Sequence, residues 1–211
     1  FYASRLDTQL NLAKLELIDR SKLSETDQLA YDVFKYNQES ALRGQTDEIR
    51  ALTEVRPVNH FSGFHTFYPT FASGDSAAQF KTLANYEDNL SRHDDYIAIS
   101  GRAIDKFREG MESGVFETKL TIGNVVKQFD TMLAIPIADS QYMKPVKNFP
   151  EDFSEADKAR LAAAYEAKTA EIYAADTRMR DFLRDEYLPV ARESVGLSQM
   201  KGGDKLYAQM I

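Results

Sequence analysis

The chain has 211 residues, a net charge of −7 and a pI near 5.1, with 43% hydrophobic and 28% charged residues, the make-up of an ordinary globular protein. The acidic balance argues against a partner that is nucleic acid, and the absence of cysteine removes disulfides, thiol nucleophiles and cysteine-bound zinc together. No apolar run reaches the length of about 18 residues needed to span a membrane, and no signal peptide is visible.

Residues 1–50 read as a helical hairpin. Leu6, Leu10, Ala13 and Leu17 recur at helical spacing, Ser24 with Asp27 forms a capping arrangement, and Leu29, Val33, Phe34 and Ala41 are expected to point inward until Gly44. Residues 55–74 change character. Pro57, Gly63, Pro69 and Gly74 punctuate a stretch holding Phe61, Phe64, Phe67, Tyr68 and Phe71, which reads as an ordered aromatic loop packed onto helices. Helical pattern returns over 75–135, through Phe80, Leu83, Tyr86, Tyr96, Ile104 and Phe107, and then Ile122, Val125, Val126, Phe129 and Leu133. Pro136, Pro145 and Pro150 mark a second irregular connection.

A long element spans 154–194. Ser154 and Asp157 repeat the capping arrangement, and Leu161, Tyr165, Ile172, Ala175, Met179 and Phe182 return every three or four residues. Pro189 must end or kink this helix, and 190–194 could restart it. Few segments alternate with period two. The expected fold is therefore all-α, a single helical domain over 1–211 built as a bundle of antiparallel helices, with the long C-terminal helix kinked at Pro189.

Chemistry is hard to find. The three histidines are His60, His65 and His93. None carries the His-Glu-x-x-His pattern of zinc hydrolases or the Glu-x-x-His of carboxylate-bridged bundles. His60 and His65 read as loop histidines, and His93-Asp94-Asp95 as a solvated helix face, since adjacent helical residues point apart. Gly202-Gly203-Asp204 lacks the Lys-Ser/Thr of a phosphate loop and reads as a turn. No catalytic residue and no metal ligand is assigned.

The run Phe182-Leu183-Arg184-Asp185-Glu186-Tyr187-Leu188-Pro189-Val190-Ala191-Arg192 and its continuation through Gly196-Leu197 to Gly202-Gly203-Asp204-Lys205-Leu206-Tyr207 resembles the signature of the bacterial domain-of-unknown-function family numbered 885. Leu29-Ala30-Tyr31-Asp32-Val33 resembles its opening hairpin. Met200-Lys201 departs from the proline that relatives tend to place before the glycine.

The resemblance implies a helical lipoprotein of the cell envelope or periplasm, similar to zinc metallopeptidases whose His-Glu-x-x-His helix follows later. The chain opens on Phe1 rather than Met and stops on the apolar face of Leu206, Tyr207, Met210 and Ile211, so it is expected to be an N-terminal piece of a longer protein. On that view it needs no cofactor of its own while the full-length parent holds zinc. It forms a wall or lid of a cleft, its partners being the C-terminal half of the same protein and a peptide substrate. Arg192 and Tyr207 are the matched polar positions most able to reach a substrate carboxylate or carbonyl. Alternatively, Arg192 braces the Pro189 kink and Tyr207 packs. A helical interaction or scaffold domain without enzymatic activity, docking through the long final helix, is the competing expectation.

Overall fold

A computed structural model describes residues 2–211, with side chains from Ser4 onward. Phe1, on which the expectation of a removed start rests, lies outside the described residues. Among these residues the fold is all-α: eight α-helices, short 3-10 turns and no strand. No helix there is long and apolar enough to cross a membrane. The tertiary contacts group the chain into two compact units, Phe1–Glu54 with Gly196–Ile211, and Val55–Val195.

In the first unit, α1 (Tyr2–Glu16) and α2 (Glu25–Gly44) form the hairpin, followed by α3 (Asp47–Thr53). Ser24 caps α2 as expected: its hydroxyl accepts from the Asp27 amide at 3.2 Å and donates to the Asp27 carboxylate at 2.7 Å. The inward assignment of the hairpin's stripe is corrected. Leu6 and Leu29 are both 65% exposed, Leu10, Val33 and Phe34 are exposed too, and α2 buries no residue fully. Two helices lying on each other cover one narrow seam, so a stripe that reaches Leu29, Val33 and Phe34 is wider than its partner. The unit's buried apolar side chains are Leu15 of α1, Ile49 and Leu52 of α3, and Met200 and Leu206, with α3 packed on α8 (Gly203–Met210). Gly203 is required there: a Cβ would lie 1.7 Å from the Leu197 carbonyl oxygen.

The second unit is built on α5 (Leu83–Ser113) and α7 (Glu155–Asp181), which pack along each other, with α6 (Lys119–Leu133) against α7. At α5 the Thr82 hydroxyl accepts from the Asn85 amide at 3.3 Å and the Asn85 side chain accepts from the Thr82 amide at 3.2 Å, a reciprocal cap. Gly114, at φ +76°, closes it in the left-handed conformation. Val125, Phe129, Phe107, Met179, Leu183 and Tyr187 form the largest apolar cluster.

Two expectations for this unit need correction. Phe64–Ala72, inside the segment read as a loop, is a helix, α4. Pro69 is its sixth residue, so it removes one bond of a short ladder, and burial of His65, Tyr68 and Ala72 on one face outweighs that loss. The long final helix runs to Asp181, widens into a π-helical turn over Phe182–Tyr187 and stops. The Leu188 amide bonds the Leu183 carbonyl at 2.9 Å, one residue further back than an α-helix requires, and Pro189 has no amide to continue. Residues 190–194 do not restart a helix. Arg192 instead forms an isolated parallel bridge with Thr118, its amide meeting the Glu117 carbonyl at 3.1 Å and its carbonyl the Lys119 amide at 2.9 Å.

Candidate functional site

The inner stripe of α5 is only half apolar. Tyr86, Asn89, His93, Tyr96, Ser100, Ala103 and Phe107 recur three and four residues apart, and all are buried. Facing them, α7 buries Tyr165, Thr169 and Asp176 beside Leu161 and Ile172. The seam between the two longest helices therefore holds a polar network in an apolar setting, and every group in it needs a partner.

One branch centres on His93, which is completely buried rather than part of a solvated face; Asp94 and Asp95 beside it are exposed. Its Nδ1 lies 2.7 Å from the Tyr68 hydroxyl and its Nε2 3.4 Å from the Asn89 amide nitrogen. That nitrogen donates to the Tyr165 hydroxyl at 3.0 Å, which donates on to the Tyr86 carbonyl at 3.1 Å. Burial pushes His93 down to about 4, so it is neutral near pH 7. Burial likewise raises Tyr68 and Tyr165 far above the ordinary phenol range.

The other branch centres on Asp176. Its Oδ1 accepts a 2.8 Å hydrogen bond from Tyr96 of α5, and burial pushes the carboxyl up to about 7 although that bond pulls the other way. Asp176, Ser140, Tyr142 and Tyr173 line a small cavity of about 60 Å³, closed by Met132 and Ile135. The hydroxyls of Ser140 and Tyr142 are buried and make no well-formed hydrogen bond.

Sharing Pro69, Met132 and Gln141 with that cavity is a larger, open groove of about 310 Å³. His65, Thr66, Thr70, Gln128 and Thr131 complete its lining. The Gln128 amide donates to the His60 carbonyl at 3.0 Å, which turns its oxygen toward His65 Nε2, 2.9 Å away. His65 must then carry its proton on Nε2, leaving Nδ1 a buried acceptor with no partner. Burial lowers His65 as well, so the groove presents neutral donors and acceptors rather than charge.

The sequence-predicted positions fall in different units. Arg192 belongs to the second unit, where its guanidinium donates to the Phe116 carbonyl at 3.1 Å and the Ser194 carbonyl at 2.7 Å. Tyr207 belongs to the first and is 56% exposed. The motif around Tyr187 is a junction: the Tyr187 hydroxyl, fully buried, accepts from the Glu117 amide at 2.8 Å, and Glu117 pairs with Arg56 at 2.9 Å. Among the described residues no cluster of three His, Asp or Glu is arranged to hold a metal. His65 and His93 each hold one ring nitrogen against a side chain, Gln128 and Tyr68.

Fold and site together define an all-helical protein whose polar core opens beside an uncharged groove. The chain belongs to the family described as bacterial protein of unknown function (DUF885), whose profile matches residues 2–211. No curated protein and no solved structure matches it. Asn89, His93 and Asp176 escape an apolar count of the sequence, yet Asn89, His93, Tyr96 and Ser100 keep the helical spacing of the stripe. Polar residues in register with a core stripe were the available signal.

Proposed function

We propose that this chain is the non-catalytic N-terminal helical portion of a bacterial zinc-dependent peptidase, walling one side of a cleft whose metal-bearing floor comes from a later segment. The observation that carries this reading is the groove beside α4 and α6. Its amide, hydroxyl and imidazole groups stand over Pro69 and Met132 without a formal charge, which is the chemistry that recognises a peptide backbone. Membership of a family described as of unknown function is consistent with it; the zinc-peptidase part and a place in the cell envelope extend the expectation drawn from the sequence motif.

No step of hydrolysis is assigned to residues of this chain. Their part is to hold an extended substrate: Gln128 and Gln141 pair with backbone amides. The test uses the parent gene. It should encode His-Glu-x-x-His beyond Ile211, the purified parent should hold about one zinc ion per chain, and Gln128→Ala should raise KM for a peptide with kcat little changed. A parent without zinc or peptide hydrolysis overturns the reading.

One observation favours a second reading, a helical interaction domain. The hairpin leaves Leu6, Leu10, Leu29, Val33 and Phe34 exposed. The docking surface would then be this hairpin rather than the long final helix, whose apolar face is spent on α5 and α6.

A further inference from the structure

A buried carboxylate without a cation is costly, because burial removes its hydration and a neutral hydrogen bond restores only part of it. Asp176 is such a group. It is 1% exposed, no ion pair reaches it, and among the described residues its hydrogen-bond partner is the Tyr96 phenol. It does not face packed side chains alone, since it lines the 60 Å³ cavity. A single water requires only about 10–15 Å³ on this measure, so several heavy atoms fit. Two further oxygens on the same cavity, those of Ser140 and Tyr142, are buried and make no well-formed hydrogen bond, leaning only on the neighbouring Tyr173 and Tyr96 hydroxyls, and poorly satisfied buried hydroxyls are uncommon enough to need a reason. Two tyrosines share the wall with Pro69, Met132, Leu133 and Ile135: Tyr142, and Tyr173 with its hydroxyl held by the Ile135 carbonyl at 2.9 Å.

We propose that this cavity binds the primary ammonium group of a small amine, with Asp176 as its counter-ion and the Ser140 and Tyr142 hydroxyls as its other two acceptors. An ammonium has three donors and no acceptor, which matches one carboxylate and two hydroxyl oxygens with lone pairs to spare. Electron-rich tyrosine faces favour a cation further. An anionic ligand would meet Asp176 instead, and a purely apolar one would leave the three oxygens unpaired. The cavity takes the nitrogen and the first carbons. Pro69, Met132 and Gln141 then lead into the larger groove, so the substituent on the amine extends there. For a peptide, the ammonium is the free N-terminus. That assignment rests on the groove binding peptides, and it makes the site an N-terminus reader.

The test compares alanyl-alaninamide with its N-acetyl form, titrated into the 211-residue chain by calorimetry at pH 7.5. A charged hydrogen-bonded pair predicts that the free amine binds about tenfold or more tighter than the acetylated compound. Asp176→Asn keeps the shape and the acceptor for Tyr96, and should abolish that preference with the helical circular dichroism unchanged. Equal affinity for the two compounds, or a preference that survives Asp176→Asn, overturns the ammonium site while leaving a peptide-binding groove standing. Binding of neither compound at tens of millimolar overturns both.

Discussion

The phenol of Tyr96 donates a 2.8 Å hydrogen bond to Asp176 across the seam of the two longest helices, and both groups are buried. The pair joins α5 to α7, the two helices that pack most extensively on each other, and it sets an acid where its charged form is desolvated. Stability is therefore coupled to protonation at the centre of the second unit.

For Asp176 the folded state holds its proton up to about 7, against 3.8 for the unfolded chain, so its favourable contribution is full below 3.8 and lost as pH rises through about 7. Replacing it with Asn removes that loss. The Asp176→Asn variant should gain stability over the parent chain by a margin that grows from pH 4 to pH 7 and then stays level, reaching at most about 4 kcal/mol. Urea midpoints across that range measure it; a margin that does not change with pH contradicts the assignment.

His93 works in the opposite sense. Its folded value lies at about 4, below 6.5, so its contribution is full above 6.5 and lost as pH falls through about 4. Between about pH 4 and 6.5 the two groups oppose each other, and the parent chain should show a flatter stability profile than either single variant. The ring resonances of His93 should report a neutral imidazole down to about pH 4. A titration midpoint near 6.5 would show that the ring is not held as described.

The Tyr68 hydroxyl is the partner of His93 Nδ1, at 2.7 Å. Tyr68→Phe leaves a buried ring nitrogen unpaired and should cost about 1–3 kcal/mol. Asn89→Leu should cost a similar amount, and the double variant less than the sum, because both changes break the same chain of bonds. Additive losses in a double-mutant cycle would separate the two groups.

How much of this could be read beforehand follows from what kind of signal each feature leaves. Helices leave a periodic one, and the caps at Ser24 and Ser154 leave a local one, so both elements and starts were legible. Leu6 and Leu29 misled because periodicity gives a helix its stripe without saying how wide a partner will cover it. Pro69 misled in the other direction, since a proline's local cost says nothing of the burial that α4 gains through His65 and Tyr68. The candidate site was the least legible part. Asp176 and Tyr96 stand eighty positions apart, and Ser140 comes from a connection with no periodicity at all.

Tyr187 shows what the matched motif does physically. Its hydroxyl satisfies the Glu117 amide in the segment between α5 and α6, and the Arg192 backbone pairs alongside. Tyr187→Phe should keep the ring's packing on Phe107, 4.8 Å away, while orphaning that amide, at a cost of about 1–3 kcal/mol. Arg192→Ala should loosen the same junction, raising amide exchange at Glu117 and Lys119 ahead of the helix interiors. Unchanged exchange in both variants would mean that the motif is not the clasp it is taken for.

Gly203 offers the sharpest geometric test in the first unit. Its Cβ position lies 1.7 Å from a backbone oxygen, that of Leu197, which no side-chain rotation can relieve, and 3.3 Å from Cβ of Met200. Gly203→Ala must therefore move the start of α8 away from the Leu197–Gln199 turn, and with it Leu206, which is 4% exposed. The expected loss is about 1–3 kcal/mol. Gly196→Ala is the control, because its nearest neighbour is the Ser198 hydroxyl at 3.8 Å and its φ is −65°, open to any residue. Thermal denaturation of the two variants should differ clearly. Equal midpoints would mean that the turn before α8 yields more freely than its carbonyl contact allows.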